Sequence, residues 1–159
     1  VIIMATFYSP NGNPEVWQKK PDGYYTPEEW AALHPPSEPT FDELKEFKLQ
    51  ELVRSFDARI TGAITVQPFG YVMQFNTDDS IKMQGAIDLM EITGQTVGYL
   101  TQANDVTVYD VPIDVMKNVL VQMMTAFAAC HSRKQELRSA INDAETKEDL
   151  AAIEITWPV

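Results

Sequence analysis

The sequence has one cysteine, Cys130, and two histidines, His34 and His131, in 159 residues. A lone thiol excludes an internal disulfide and a thiolate-rich zinc centre, and two histidines without HExxH spacing carry no zinc signature. Basic residues are scarce as well: 12 Lys and Arg stand against 23 Asp and Glu, a formal net charge of -11. Such a chain repels phosphate backbones and anionic lipid, so neither nucleic acid nor a membrane surface is an expected partner. Its unbroken apolar runs fall short of the ~20 residues of a bilayer span, and VIIM at the start lacks the basic flank of a signal peptide. The expected compartment at synthesis is the cytosol. Val1 to Ile3 read as a vector remnant or an upstream start, with Met4 as the natural initiator. GxxxxGK[ST], GxGxxG after a strand and GxSxG are all missing, which removes the usual sequence support for nucleotide binding and for elbow-type hydrolases.

What is present is enough apolar material, 45% of residues, for one main core that buries about two thirds of the unfolded surface. The first 34 residues predict a small unit. Pro10-Asn11-Gly12-Asn13 between TFYS and EVWQ is hairpin chemistry, because Asn-Gly readily takes the positive φ of a tight turn. In Thr26-Pro27-Glu28-Glu29, Thr26 is an N-cap, Pro27 a first helical residue and Glu29 the reciprocal capping-box partner. Pro35, Pro36 and Pro39 stop that short helix, making residues 35–40 a proline-rich linker to a larger domain over 41–159.

In the larger domain, Thr40-Phe41-Asp42-Glu43 opens a helix with Leu49, Leu52, Val53, Phe56 and Ile60 on one face and Gly62 as its stop. AITVQPFGYVMQFN is extended, interrupted at Pro68 and Gly70, with Tyr71, Met73 and Phe75 on one face. A helix follows to about Gly94, its cap at Thr77 or Asp78 and its buried stripe at Met83, Ala86, Ile87 and Met90. VGYLTQ and VTVYDV flank Ala103-Asn104-Asp105 as a second hairpin. The longest helix runs from Pro112 to Ala144, and Thr146 caps a last short one. The fold class is α+β: a hairpin-helix unit, then helices packed on a small antiparallel sheet.

Asp78 and Asp79 invite a catalytic reading, but adjacent carboxylates in a first helical turn favour the helix dipole and lack the contrasting environments of an acid-base pair. Cys130 and His131 are neighbours on a helix, about 100° apart, so they do not form a nucleophile-base pair; Cys130 sits on an apolar stripe. Glu28, Glu29, Asp105 and Asp110 are dispersed carboxylates that leave a small cell-wall hydrolase as an alternative. Trp17, Tyr24, Tyr25 and Trp30 crowd the first unit, either as its core or as a contact surface for a partner, or for a sugar in a carbohydrate-binding module. No catalytic, cofactor-binding or metal residues are expected.

The long helix repeats Met116, Leu120, Met123, Phe127, Cys130, Lys134, Leu137, Ile141 and Ala144 at steps of four and three. Two arrangements use such a seam: packing inside one chain, which the sparse flanking charge favours for the first half, or a homo-oligomer, dimer or trimer, with Lys134 as a tolerated polar position; the later half, SRKQELRSAINDAETKED, suits either.

From Phe41 to Pro158 the sequence resembles the uncharacterised C-terminal domain of tailed-phage and prophage tail proteins, often encoded beside or within tail-fibre genes. The likeness rests on KEFKLQELVRSFDARI, FNTDDSIKMQGAI, YLTQANDVTVYDV and above all ELRSAINDAETKEDLAAIEITWP, with Ala144, Thr146, Glu148, Asp149, Leu150, Ile153 and Trp157. FYSPNGNPEVWQKKPDGYYTPEEW resembles the short leaders of tail-fibre assembly and tail-associated proteins. Pro68-Phe69-Gly70 and the final Pro-Val depart from the pattern. The resemblance implies a non-enzymatic tail or tail-fibre component with a tail or fibre protein as partner, located in the virion tail after assembly, or an assembly chaperone absent from the particle. It brings no catalytic residues.

Overall fold

The computed structural model describes residues 4–35 and 37–158. The readings of Val1 to Ile3 as a remnant and of Pro36 as a linker residue fall outside them. The chain divides into two compact units, Val1–Thr40 and Phe41–Val159.

In the first unit, strands β1 (Ala5–Tyr8) and β2 (Pro14–Trp17) pair antiparallel with Tyr8 opposite Pro14. Their connection is held by Ser9, whose amide donates to the Asn13 carbonyl at 3.0 Å and whose hydroxyl accepts from the Asn13 amide at 3.1 Å. Gly12 is required there twice over. Its φ is +83°, and a Cβ would lie 3.0 Å from the Trp30 ring. Helix α1 (Pro27–Leu33) carries the expected capping box: the Glu29 amide donates to Thr26 Oγ1 at 3.1 Å and Glu29 Oε2 accepts from the Thr26 amide at 2.8 Å. Lys20 pairs with the same carboxylate, and its hydrogen bond, followed by that of Thr26, holds the Glu29 carboxyl below the ordinary range.

A depressed carboxyl contributes stability above its unfolded value and loses it as pH falls through the folded one. Acid titration followed by the Thr26 amide resonance is therefore expected to show a midpoint below that of an ordinary glutamate; a midpoint at or above it would remove this account of the cap.

In the second unit α2 (Phe41–Thr61), β3 (Ala63–Val66), β4 (Tyr71–Gln74), α3 (Thr77–Thr93), β5 (Val97–Thr101), β6 (Thr107–Pro112), α4 (Ile113–Asp143) and α5 (Lys147–Ala152) follow one another. The architecture is α+β, and the strands form separate two-stranded sheets, β3–β4 and β5–β6, rather than one. AITV and YVMQ are thus the two arms of a hairpin, with Thr65 opposite Val72, and Pro68 lies in its turn. Gln122 of α4 clasps that turn: its side-chain oxygen accepts from the Gln67 amide at 3.0 Å and its Nε2 donates to the Gln67 carbonyl at 2.6 Å. The two hairpins meet at Val72, whose amide donates to Gln102 Oε1 at 2.8 Å while its carbonyl accepts from the Ala103 amide at 2.8 Å.

Helix α4 is the spine. Met116, Leu120, Met123, Cys130, Leu137 and Ile141 are buried along it, and α2 and α3 pack against it, so the seam is used inside the unit. Each such side chain contributes about 1.5–3 kcal/mol of burial. Lys134 is tolerated because its ammonium lies 4.0 Å from the centre of the Phe56 ring. Lys45 of α2 donates to the Asn142 carbonyl at 2.8 Å, satisfying an acceptor at the C-terminal end of α4. By length and composition α4 is apolar enough to cross a membrane; in this fold its apolar stripe covers the core.

Three local expectations need correction. The N-cap of α3 is Asn76, which accepts from the Asp79 amide at 2.9 Å, so Thr77 and Asp78 are helical residues. Ala86 lies off the buried stripe of Met83, Ile87 and Met90, and Val53 is exposed beside buried Leu52 and Phe56. Ala86 instead lines an open cleft beside α3, and Val53 follows Leu52 directly, turned about 100° from it around the helix.

Candidate functional site

The carboxylates of the α3 start take different tasks. Asp79 accepts from Asn76 Nδ2 at 2.7 Å and faces Lys82 at 3.8 Å, while Asp78 points to solvent. Cys130 is fully buried, and burial pushes its thiol above the usual range against a small opposing pull from Arg59. His131 is exposed, with its ring stacked on Phe127. Among the described residues no three His, Cys, Asp or Glu side chains are placed to hold a metal ion. Glu28 and Glu29 open α1, whereas Asp105 and Asp110 lie in the β5–β6 hairpin of the other unit.

Trp17, Tyr24, Tyr25 and Trp30 form two pairs in the first unit. Trp17 meets Tyr24 edge-on at 6.2 Å, and Glu15 Oε2 accepts from both Trp17 Nε1 and Tyr24 Oη at 3.2 Å. Tyr25 lies 5.6 Å from Trp30, on which Tyr8 and His34 also stack. Trp30 is therefore consumed in packing. Trp17 keeps an exposed face.

A different place combines shape with chemistry. Between α3 and the β5–β6 hairpin lies a cleft of about 580 Å³. Met73, Met83, Met90, Met116 and Met123 form its floor, five of the seven methionines in the chain. Thioether side chains are unbranched and polarizable, so such a floor can re-pack around different apolar groups. Gly98 allows it to close: a Cβ there would lie 3.0 Å from Met90 Sδ and 3.1 Å from Met116 Sδ. Gly98→Val is accordingly expected to cost about 1–3 kcal/mol by overpacking, read as a lower urea midpoint; an unchanged midpoint would mean the methionines yield freely.

The cleft walls are Ala86, Leu89 and Lys82 from α3 and Tyr99 from β5, with Asp79 and Asp105 among the polar lining. The register of β5–β6 shifts beside Tyr99, where β6 supplies both Tyr109 and Asp110. Asp110, at this bulge, has φ 55°, and Asp105, in the turn between the strands, has φ 62°, both in the left-handed conformation that favours glycine. The bulge leaves Tyr99 and Tyr109 side by side, ring centres 6.3 Å apart and both largely exposed. A second hollow, about 620 Å³, has all its lining residues on α2 and offers one wall only. Sequence reasoning missed the cleft, although Ile81, Leu89 and Ile92 lie off the buried stripe of α3 and a glycine, Gly85, stands within the helix.

Helices packed on separate antiparallel hairpins, with an apolar cleft rimmed by carboxylates, define an α+β protein with a built concave surface. Residues 43–155 match the family described as a domain of unknown function, DUF4376, and the chain belongs to that family. No curated protein and no solved structure matches it.

Proposed function

We propose that this protein is a non-enzymatic component of a phage or prophage tail apparatus, related to the tail fibre, and works through protein-protein contact. The contact part of the reading is carried by one observation: Ile81, Leu89, Ile92, Val97, Tyr99, Val106 and Tyr109, all large and exposed, are concentrated on α3 and the β5–β6 hairpin. Exposed apolar residues gathered in one region, rather than scattered singly, mark interaction surfaces. The tail part is supported by the resemblance of the closing ELRSAINDAETKEDLAAIEITWP segment to tail-protein domains. Self-association through the α4 seam would require α2 and α3 to leave it, so an assembly of copies would use another face.

Mass spectrometry of purified particles from the phage or prophage that encodes the chain tests this. Presence in tails supports a structural component. Binding to a fibre protein during assembly with absence from the particle supports a chaperone, and no association with any tail protein overturns the reading.

A further inference from the structure

The outer face of α3 is apolar where nothing in its own unit covers it among the described residues. Ile81, Leu89 and Ile92 are 64, 60 and 83% exposed, and with Gly85 they lie on one face at steps of four, four and three. Gly85 stands in the middle of the helix, where glycine costs about 1 kcal/mol relative to alanine. A Cβ at Gly85 would meet nothing within 4 Å, so packing within the described fold gives no reason for it. The next ridge, Lys82-Ala86-Met90, runs down the α3 side of the cleft to its methionine floor. Gly85 and Ala86 therefore make a low saddle between Ile81 and Leu89, of the kind that lets a second helix axis approach closely. Tyr99 and Tyr109 stand on the hairpin beyond the cleft, presented by the left-handed bulge at Asp110.

Charge decides what fits. From Thr77 to Lys117 the chain has seven carboxylates and two lysines, and those lysines are already paired, Lys82 with Asp79 and Lys117 with Glu91. A second copy would bring the same acidic rim against itself, and like charges across a contact are unfavourable. On the reading that this unit acts by protein contact, we infer that the α3 face and the adjoining cleft receive an amphipathic helix of a partner protein, its apolar ridge flanked by Lys and Arg. The apolar ridge enters over Gly85 and Ala86, and the basic flanks meet Asp78, Asp88 and Asp105.

The test uses the full chain and two labelled synthetic helices that share one leucine ridge, flanked in one by Lys and Arg and in the other by Glu. Fluorescence anisotropy at physiological salt is expected to show binding of the basic helix and none of the acidic one. Gly85→Phe, which fills the saddle, and Leu89→Lys are each expected to weaken binding on the order of tenfold or more. Glu145→Lys, which changes charge away from this face, is expected to leave it within about twofold. Both α3 positions are exposed, and thermal melts followed by circular dichroism establish that the variants are folded. Equal binding of the two helices, or binding indifferent to Gly85→Phe and Leu89→Lys, overturns the inference. So does a dimer seen by light scattering that Leu89→Lys dissolves, which would assign the face to a second copy. The synthetic helices carry no tail sequence, so their failure removes this docking face and leaves the tail reading standing, whereas absence from tails with peptide binding intact removes only the tail reading.

Discussion

Phe75→Ala is expected to lower the stability of the second unit by about 3–5 kcal/mol. Phe75 leaves β4 just before the α3 cap and has no exposed surface. Its ring belongs to the main core with Val66, Met73 and Ile87, and the Arg59 guanidinium lies 4.8 Å from its centre. Truncation would remove the burial of an aromatic ring, leave a cavity between β4 and α2, and strip Arg59 of its cation-π partner. Since a whole domain is stable by only about 5–15 kcal/mol, the loss is a large fraction of what holds the unit together. The readout is urea denaturation, with a thermal midpoint lowered by roughly 10–20 °C. Phe75→Leu, which keeps most of the volume, is expected to cost far less. A loss below about 1 kcal/mol for the alanine variant would mean that the site collapses around the missing ring.

Trp157→Ala comes second, at about 3 kcal/mol. The unit has two apolar clusters: a large one around α3, α4 and the hairpins, and a smaller one of Leu52, Leu137, Ile141, Ala144 and Leu150. Trp157 packs on both. Its ring lies 5.7 Å from Phe56, and its Nε1 donates to Ser55 Oγ at 2.9 Å across 102 positions of sequence. The ring is partly exposed, which places the expected cost at the lower end for a tryptophan. Trp157→Phe isolates the polar contribution and is expected to cost about 1 kcal/mol, the worth of one hydrogen bond. If the phenylalanine and alanine variants melted together, packing at Trp157 would be unimportant and only the bond to Ser55 would count.

The long helix was legible almost to the residue because proline marks its start and a four-three apolar repeat runs its length. Hairpins with Asn-Gly or Asn-Asp turns were equally plain, since few other conformations suit those residues. The β3–β4 hairpin was not. Its turn contains Pro68, which in isolation signals interruption as readily as reversal, and what holds it is Gln122, 55 residues away. The α3 cap was misplaced by one or two positions because Asn76, Thr77 and Asp78 are all capping types, and the choice depends on where β4 releases the chain. The cleft was illegible for a stronger reason. Methionines at 73, 83, 90, 116 and 123 share a floor only once three separate elements, β4, α3 and α4, have packed, and no local pattern encodes that meeting.

The junction at Val72 has a further consequence. A two-stranded hairpin exposes a row of backbone donors and acceptors to any extended segment that drifts past, and such edges seed strand-by-strand aggregation. On β4 that row is stoppered at its middle, because the Gln102 side chain and the Ala103 amide occupy both polar groups of Val72. An incoming strand would have to displace a folded neighbour before finding its first two hydrogen bonds. On this edge the fold thereby lowers the risk of runaway cross-β growth when many copies are crowded together, with Gln102 and its neighbour Ala103 as gatekeepers.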